Sequence, residues 1–477
     1  MIQWLGTRKK VRFLEYMQKN LQQIERRMNL KNDFTQGSVV RNILNLAFPM
    51  TLAQIINVLY NIVDRIYIGR IPGEGTISMT GLGLTLPIIT IIMAFANLFG
   101  IGGAPLFSIA RGRGDDEEAA LIMGNSFVML LISGVILTIL GLIVRKPILY
   151  LFGASDATFP YANAYITVYL LGSVFVMVGL GMNSFINSQG FGKVGMMTVL
   201  LGAVANIILD PIFIFVLDMG VQGAAIATVI SQFLSAAWVI RFLTGRKAIL
   251  KLRFRYFKLK KSRVYRITLL GLSGFVMSIT NSGVQIMCNS TLKLYGGDLY
   301  IGVMTVINSI REVIVMPVSG LTNGAQPIIG YNYGARSYDR VRSAIKFISV
   351  LCITYTVLSW GILHLFPAFF IRIFNQDPEL ISAALPSLRI YFFGFFMMSL
   401  QFVGQTVFTA LGKSKHAIFF SLLRKAFIVI PLTLLLPRLF GLGTKGVFLA
   451  EPISNFIGGT ACFVTMLCIV LPELKNK

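Results

Sequence analysis

Histidine, cysteine and acidic side chains are scarce in this chain of 477 residues, and their scarcity excludes most enzyme classes. The two histidines, His364 and His416, lie near the ends of apolar runs and support no catalytic dyad. The four cysteines lie in or beside apolar runs, without the spacing of a metal site or a disulfide framework: Cys288, Cys352, Cys462 and Cys468. The sequence also lacks the ATP-binding Walker pattern. We therefore expect neither an enzyme nor a cofactor.

Charged residues make up only 13% of the chain and hydrophobic residues 55%, a composition foreign to soluble proteins of this length. Apolar runs of about 20 residues, each long enough to cross a hydrocarbon core of ~30 Å, recur throughout. We count twelve such runs and predict an all-α integral membrane protein with twelve transmembrane helices. The predicted spans are residues 43–68, 80–109, 119–144, 161–188, 194–217, 221–243, 266–293, 302–331, 343–366, 386–411, 416–437 and 444–471.

The formal net charge of +24 is a property of the connections between the spans. Connections after even-numbered spans hold more cations than those after odd-numbered spans, which the positive-inside rule explains without a nucleic-acid partner. Both termini are therefore expected in the cytosol. We expect a multi-pass protein of a bacterial or archaeal plasma membrane, and a monomer whose partners are small molecules and membrane lipids.

Residues 1–37 form a basic extension without the apolar core of a signal peptide, so we expect it to stay in the cytosol. Phe13, Leu21 and Ile24 recur at helical spacing, which suits a weak amphipathic helix on the membrane surface. A start codon placed too early explains the extension equally well, because Met28 opens the part that looks like the rest.

The chain divides into two similar halves around a basic linker. Residues 244–266 carry ten Lys or Arg and no acid, and an inner-leaflet anchor on anionic lipid explains this run better than RNA binding does. Glycines, prolines and small residues recur in both halves at separations of 220 to 223 residues, as in Pro105 and Pro327. Parallel repeats of this kind occur in some transporter folds. The predicted boundaries are an extension 1–37, an N-lobe 38–243, a linker 244–265 and a C-lobe 266–477.

Five polar residues of the first half are predicted to meet at one depth in the membrane. Asn206 and Asp210 lie four apart, so they share one helix face, and Pro211 frees a backbone carbonyl as a further acceptor. Depth is counted at ~1.5 Å per residue, from Pro49 as the start of the first helix and from Lys193 for the fifth. The converging residues are Asp64, Asn183, Asn206, Asp210 and Thr228. Two carboxylates with three neutral oxygens suit Na⁺, held chiefly by Asp64, Asn206 and Asp210, or a shared proton. A helix-packing hydrogen bond at a proline kink is the alternative.

The second half lacks a matching set, since Ile430 takes the place of Asp210. Its deep charges are Arg311 and Glu312, which each need a partner or face a cavity, whereas Arg424 and Lys425 are expected at the cytosolic end of the eleventh span. The candidate cavity or substrate residues are Asn281, Gln285, Met287, Arg311, Glu312, Phe392 and Met398. Ordinary helix packing is the alternative for the methionines and phenylalanines.

From about Met28 to the end, the chain resembles the multidrug and toxic compound extrusion (MATE) family. The resemblance is carried by N-V-L-Y-N-I-V-D-R-I-Y-I-G around Asp64, Q-G-F-G-K at 189–193, A-N-I-I-L-D-P-I at 205–212 and P-I-I-G-Y-N-Y-G-A at 327–335. It implies two pseudo-symmetric six-helix lobes in a V shape and alternating access. It also implies that the five polar residues form the cation site of the N-lobe, as in prokaryotic members. Arg65, Glu451 and Asn455 depart from the residues usual in that family.

The leading functional hypothesis is therefore a secondary antiporter that exports organic cations or drugs in exchange for H⁺ or Na⁺. A flippase for lipid or lipid-linked oligosaccharide, from the same superfamily, is the alternative, and it would need a strongly cationic cavity. An integral-membrane enzyme is a weaker hypothesis because no nucleophile with its base and no metal cluster is found. A receptor is weaker because it would not need duplicated halves with buried acids.

Overall fold

The computed structural model describes residues 33–475, which form helices and contain no strand. Nine of these helices are long and apolar enough to cross a membrane, and two bent helix pairs raise the number to eleven. The helix Lys261–Gly334 counts once, yet it breaks at Gly297, where φ is 67° and ψ is −165°. Its two arms counted separately confirm the prediction of twelve spans.

The first six spans build the N-lobe and the last six the C-lobe. The N-lobe spans are Val39–Gly69, Gly75–Gly112, Asp116–Leu151, the pair Phe159–Leu171 and Ser173–Ser188, Gly192–Pro211 with the π-helical turn Ile212–Val216, and Gly220–Thr244. The C-lobe spans are the two arms of Lys261–Gly334, Tyr338–Leu365, the pair Pro378–Phe392 and Phe395–Ala410, Ser414–Leu422 with Leu423–Val429 and Ile430–Leu435, and Thr444–Ser454 with Asn455–Gly459 and Thr460–Lys475. Short helices Phe254–Tyr256, Pro367–Phe374 and Leu439–Gly441 lie between spans.

The first span differs from its prediction. It begins at Val39 and carries Pro49 inside the helix, so the depth counted from Pro49 was wrong. Pro49 resembled a helix start because proline is favoured in the first turn. Ile43 and Leu46, one to two turns before this proline, are buried in an apolar cluster of the C-lobe. Their burial stabilises the added turns and ties the first span to the opposite lobe.

The two lobes meet closely at the end of the bundle where the first span begins, which we call the base. Gly271 of the seventh span packs directly on the second span, and a Cβ there would lie 1.7 Å from the carbonyl oxygen of Leu98. Gly324 of the eighth span faces Ala47, and a Cβ at Gly324 would lie 2.6 Å from the Cα of Ala47. Small residues at these positions allow helix backbones to touch. The backbone contact between lobes is thus concentrated at the base.

Side chains reinforce the joint at the base. The guanidinium of Arg111, on the second span, lies 5.1 Å from the ring centre of Tyr331 on the eighth, a cation–π geometry. Arg111 also donates to the carbonyl oxygen of Ser188 at 3.4 Å. Tyr331 in turn donates from its hydroxyl to Asp33 at 3.3 Å. Burial of Asp33 opposes its charge, but hydrogen bonds from Thr35 and Tyr331 prevail and lower its pKa below the ordinary value. The segment before the first span therefore fastens the two lobes together.

The basic linker lies along the base of the N-lobe. Gln189, at the end of the fourth span, exchanges two hydrogen bonds with the backbone of Leu250, at 2.9 and 3.2 Å. Asn125 of the third span donates to the carbonyl oxygens of Tyr256 and Lys258, at 3.2 and 3.1 Å. Two buried amide side chains thus hold the linker backbone in place. The amphipathic helix predicted for the extension lies outside the described residues.

Candidate cation site and central cavities

Asn206 organises a buried polar cluster in the N-lobe. Its amide nitrogen donates to Asp210 Oδ1 at 3.0 Å, one helical turn further along the fifth span. The same nitrogen donates to Thr228 Oγ1 of the sixth span at 3.4 Å. Pro211 follows at once, and the chain continues as the π-helical turn Ile212–Val216 because the regular hydrogen-bond ladder is interrupted there. The local sequence thus points one amide and one carboxylate inward at the same break.

Asp64 joins this cluster from the first span. Its side chain is buried, and its carboxyl group lies within hydrogen-bonding reach of that of Asp210. Two carboxylates at this separation repel each other unless a proton or a cation lies between them. The pair is therefore a place where one positive charge can be held and released.

The cluster has more acceptors than donors. Three of its buried oxygens accept no hydrogen bond from the described residues, namely Asp64 Oδ1, Asn206 Oδ1 and Asp210 Oδ2, and the same holds for Asn183 Oδ1 nearby. A buried acceptor without a partner costs about 1–3 kcal/mol, so several together are stable only if another group satisfies them. A proton or a hard cation such as Na⁺, which prefers oxygen ligands, has the chemistry to satisfy them.

Asn183, the fifth predicted residue, lies beside the cluster and is not bonded to it. Its amide nitrogen donates to the backbone carbonyl of Gly195 at 3.2 Å, and no hydrogen bond joins it to either carboxylate. It lines a cavity of about 440 Å³ in the N-lobe together with Asn206 and Thr228. Asn183 therefore faces the cavity beside the cluster, while the other four predicted residues contact one another.

Two tyrosines at the cluster were missed by the sequence analysis. Tyr60 lies one turn before Asp64 on the first span and lines the N-lobe cavity. The Tyr165 hydroxyl, from the fourth span, is within hydrogen-bonding reach of Thr228. The four-residue spacing of Tyr60 and Asp64 was the available signal, since such residues share a helix face. Nothing in the sequence pointed to Tyr165, because its approach depends on how the fourth and sixth spans pack.

A second cavity, of about 520 Å³, lies between the first span and the C-lobe. Four of the candidate residues line it: Asn281, Gln285, Arg311 and Glu312. Phe392 and Met398 do not line it, because both are buried in the apolar core of the C-lobe. Met287 is also not among the lining residues of either cavity. Phe392 and Met398 are thus core packing residues, and Met287 lies outside these two cavities.

A buried ion-pair network forms the far wall of this C-lobe cavity. Glu451 of the twelfth span accepts from Arg424 at 3.1 Å and from Lys425 at 3.1 and 3.2 Å. Asn455 accepts from the same Arg424 nitrogen at 2.7 Å. Arg424, Lys425 and Glu451 are each at most 6% exposed. The expectation that Arg424 and Lys425 lie at the cytosolic end of their span was therefore wrong.

The backbone explains how neighbouring cations reach one acid. Adjacent side chains of an α-helix point about 100° apart. Arg424 and Lys425 instead open the wider π-helical segment Leu423–Val429, and Asn455 opens another, Asn455–Gly459, in the facing span. These segments turn both cations towards Glu451. Such π-bulges are frequent at functional sites.

The MatE family profile matches residues 49–212 and 274–435, one segment in each lobe and together more than half of the chain. The chain belongs to the MatE family. Among curated relatives, this MatE member is 28% identical over 439 residues to the multidrug export protein MepA of Staphylococcus saprophyticus, covering 92% of this chain and 94% of that protein. It is 26% identical over 446 residues to MepA of Staphylococcus haemolyticus, covering 93% and 96%.

Solved MATE structures share the fold of this MatE member. A crystal structure of MATE in complex with MaL6 superposes with a TM-score of 0.87 at 22% identity, covering 93% of this chain and 99% of that one. An outward-facing multidrug resistance MATE transporter of the MOP superfamily superposes with a TM-score of 0.86, also at 22% identity, covering 94% and 99%. The predicted arrangement of two six-helix lobes is thus confirmed.

Proposed function

We propose that this MatE family protein is a secondary active exporter of organic cations or drugs, driven by exchange for H⁺ or Na⁺. The observation that carries the proposal is the pair of buried carboxyl groups, Asp64 and Asp210, within hydrogen-bonding reach of each other beside the N-lobe cavity. Either a proton or a hard cation fits there. The names of the staphylococcal relatives, multidrug export protein MepA, support the same function.

We further propose that the base faces the cytosol. The cation-rich connections, including the linker, belong to this end, as the positive-inside rule requires of a cytosolic surface. With the lobes fastened at the base and both cavities further along the bundle, this arrangement corresponds to an outward-facing state. Opening towards the cytosol would then separate Gly271 from Leu98 and Arg111 from Tyr331.

The N-lobe cavity supports an amphipathic cationic substrate. Its lining combines apolar side chains such as Met50, Met93 and Leu180 with the neutral oxygens of several amides, and it includes no Lys or Arg. Polarisable methionines adapt to differently shaped apolar groups, and a nearby carboxylate favours a cation. Release of the substrate when the coupling ion arrives follows from competition for the same negative charge. We also propose that the protein acts in the plasma membrane, as a monomer and without a cofactor.

The experiment is dye efflux from reconstituted vesicles under separately imposed H⁺ and Na⁺ gradients. Wild-type protein should export a monovalent cationic dye under one of the two gradients. Asp64→Asn and Asp210→Asn should each abolish this coupling while the purified protein keeps its elution profile. Asp298→Asn, at an exposed acid outside both cavities, is the matched control and should export like wild type. Normal gradient-driven efflux by either cluster variant would overturn the proposal.

The flippase alternative gains less support. It would need a strongly cationic cavity for a pyrophosphate, yet Arg424 and Lys425 are bonded to Glu451 and Glu312 lines the same cavity. An enzyme is not proposed either, because the family assignment points to a transporter.

A further inference from the structure

One cation of the C-lobe cavity has no counter-charge bonded to it. Arg311 of the eighth span lines the cavity, forms no ion pair among the described residues, and its buried Nε finds no hydrogen-bond acceptor. The other deep cations of this wall are paired: Arg424 and Lys425 both bond to Glu451. A half-buried guanidinium without a bonded partner raises the free energy of the folded protein, because its lost hydration is not replaced.

The charge around the cavity is also unbalanced. Arg311, Arg424 and Lys425 carry three positive charges, and Glu451 supplies the only buried negative charge among the described residues of this cluster. Glu312 lines the cavity too, but it is exposed. The wall therefore keeps an excess of positive charge after Glu312 is counted. A guanidinium in that setting is suited to a planar, two-oxygen acceptor, which a carboxylate is.

The two cavities adjoin, although their polar character differs. Gln54 and Asn57 of the first span line both of them. The N-lobe cavity borders the acidic cluster through Asn206, which bonds to Asp210, whereas Arg311 and Lys425 line the C-lobe cavity. A single ligand that reaches past Gln54 therefore has the acidic cluster near one end and direct contact with positive charge at the other.

We propose that Arg311, with Lys425 beside it, forms an anion-recognising site in the C-lobe cavity, which binds the carboxylate of a zwitterionic organic substrate. The cationic part of that substrate lies towards the N-lobe, and this part of the inference rests on the proposed export function. Arg311 contacts the carboxylate directly. Glu451 positions Lys425 and keeps the neighbouring Arg424 from adding a further unpaired charge.

The test compares two dyes that differ at one group. Tetramethylrhodamine carries a xanthylium cation and a free carboxylate, whereas its methyl ester carries the same cation and no negative charge. Their binding to the full-length protein in phosphatidylcholine nanodiscs is measured by fluorescence anisotropy, with empty nanodiscs subtracted and no ion gradient present. Arg311→Gln should weaken the zwitterion about tenfold, equivalent to ~1.4 kcal/mol, and change the ester less than about twofold.

Two further variants complete the comparison. Arg311→Lys keeps the charge without the planar fork and should recover part of the lost affinity for the zwitterion. Arg389→Gln removes an exposed arginine of the tenth span outside both cavities, and should change neither dye. If Arg311→Gln does not fold, Arg311→Met makes the same comparison with an apolar side chain that follows the arginine stem.

An equal loss for both dyes, or an unchanged affinity for the zwitterion, would overturn the anion site. Failure of the export proposal gives a different result: vesicles would export the ester under neither gradient, while the ratio of the two dye affinities would still report on Arg311.

Discussion

Loss of Glu451 should strongly destabilise the C-lobe. This residue accepts hydrogen bonds from two buried cations at 3.1 Å, and at an effective dielectric constant of about 20 each pair attracts by roughly 5 kcal/mol before desolvation is subtracted. Replacing it by glutamine leaves Arg424 and Lys425 buried together without an anion. Breaking such a network from one side costs about 3–5 kcal/mol.

Lys425→Met should cost much less, although it removes the same number of charges. It leaves Arg424 and Glu451 as a neutral pair, still bonded at 3.1 Å, and methionine fills the space of the lysine stem. The double variant Glu451→Gln with Lys425→Met should recover part of the stability lost by the single glutamine substitution, since one cation is removed with the anion.

Thermal unfolding of the purified protein, followed by fluorescence-detected size-exclusion, measures these differences. A loss of 3 kcal/mol lowers the melting temperature by about 6 °C or more for a unit the size of one lobe. Ser454 neighbours the network, but its hydroxyl donates to a backbone carbonyl oxygen at 3.0 Å and not to a charged side chain. Ser454→Ala therefore serves as the control and should shift the melting temperature little. The reasoning is refuted if Lys425→Met destabilises more than Glu451→Gln, or if Glu451→Gln melts like wild type.

Three other predictions concern the lobes, the linker and the charge of the transported ion. Gly271→Leu should lower the melting temperature because a Cβ at that position would meet the backbone of Leu98. Gly274→Leu, on the same helix but with open space around it, should be tolerated, and equal melting curves for the two variants would contradict the close contact. Replacing Lys258, Lys260 and Lys261 by Gln should alter expression or topology, seen by accessibility labelling, but not the relative efflux of different dyes; a changed drug spectrum at equal expression would refute this. Efflux of a monovalent cation should change little when valinomycin and K⁺ collapse the membrane potential at a fixed ion gradient, because exchange of one ion for one singly charged drug moves no net charge. Moving one net charge through 100 mV is worth ~2.3 kcal/mol, a roughly forty-fold effect, so a fall in efflux approaching that size would refute one-for-one exchange.

Sequence reasoning reached the membrane architecture because its signal is strong and local. The twelve apolar runs and the charges between them depend on residues close in the chain, and a helix satisfies the backbone polar groups that lipid would leave without partners. The repeat was visible because similar residues recur at a nearly constant separation. The Asn206 and Asp210 contact was predictable from nearby residues as well, since a four-residue spacing on one helix fixes it. Asp64 was found through its depth, even though the helix start used to estimate that depth was wrong.

The errors have a common physical origin in helices that are not regular. Pro49 lies within its helix, the tenth span is bent by 45° just after the buried Phe392, and Arg424 and Lys425 lie in the π-helical segment Leu423–Val429. Each depends on tertiary packing that compensates an interrupted hydrogen-bond ladder. None of these three helices has a uniform rise and a uniform turn per residue. Counting residues along the sequence therefore gives neither the depth of a side chain nor the direction in which it points at these places.

The sequence repeat places different polar residues at an equivalent position of the two lobes. The repeat offset of 223 residues that relates Gly223 to Gly446 also relates Thr228 to Glu451. Thr228 accepts from Asn206 in the N-lobe cluster, while Glu451 accepts from Arg424 and Lys425 in the C-lobe network. In each half, the side chain at this equivalent position thus accepts hydrogen bonds from polar side chains of the preceding span. In one lobe those partners leave acceptor oxygens unsatisfied, which suits a cation. In the other they are donors that a carboxylate must neutralise, so the equivalent position meets partners of opposite polarity in the two lobes.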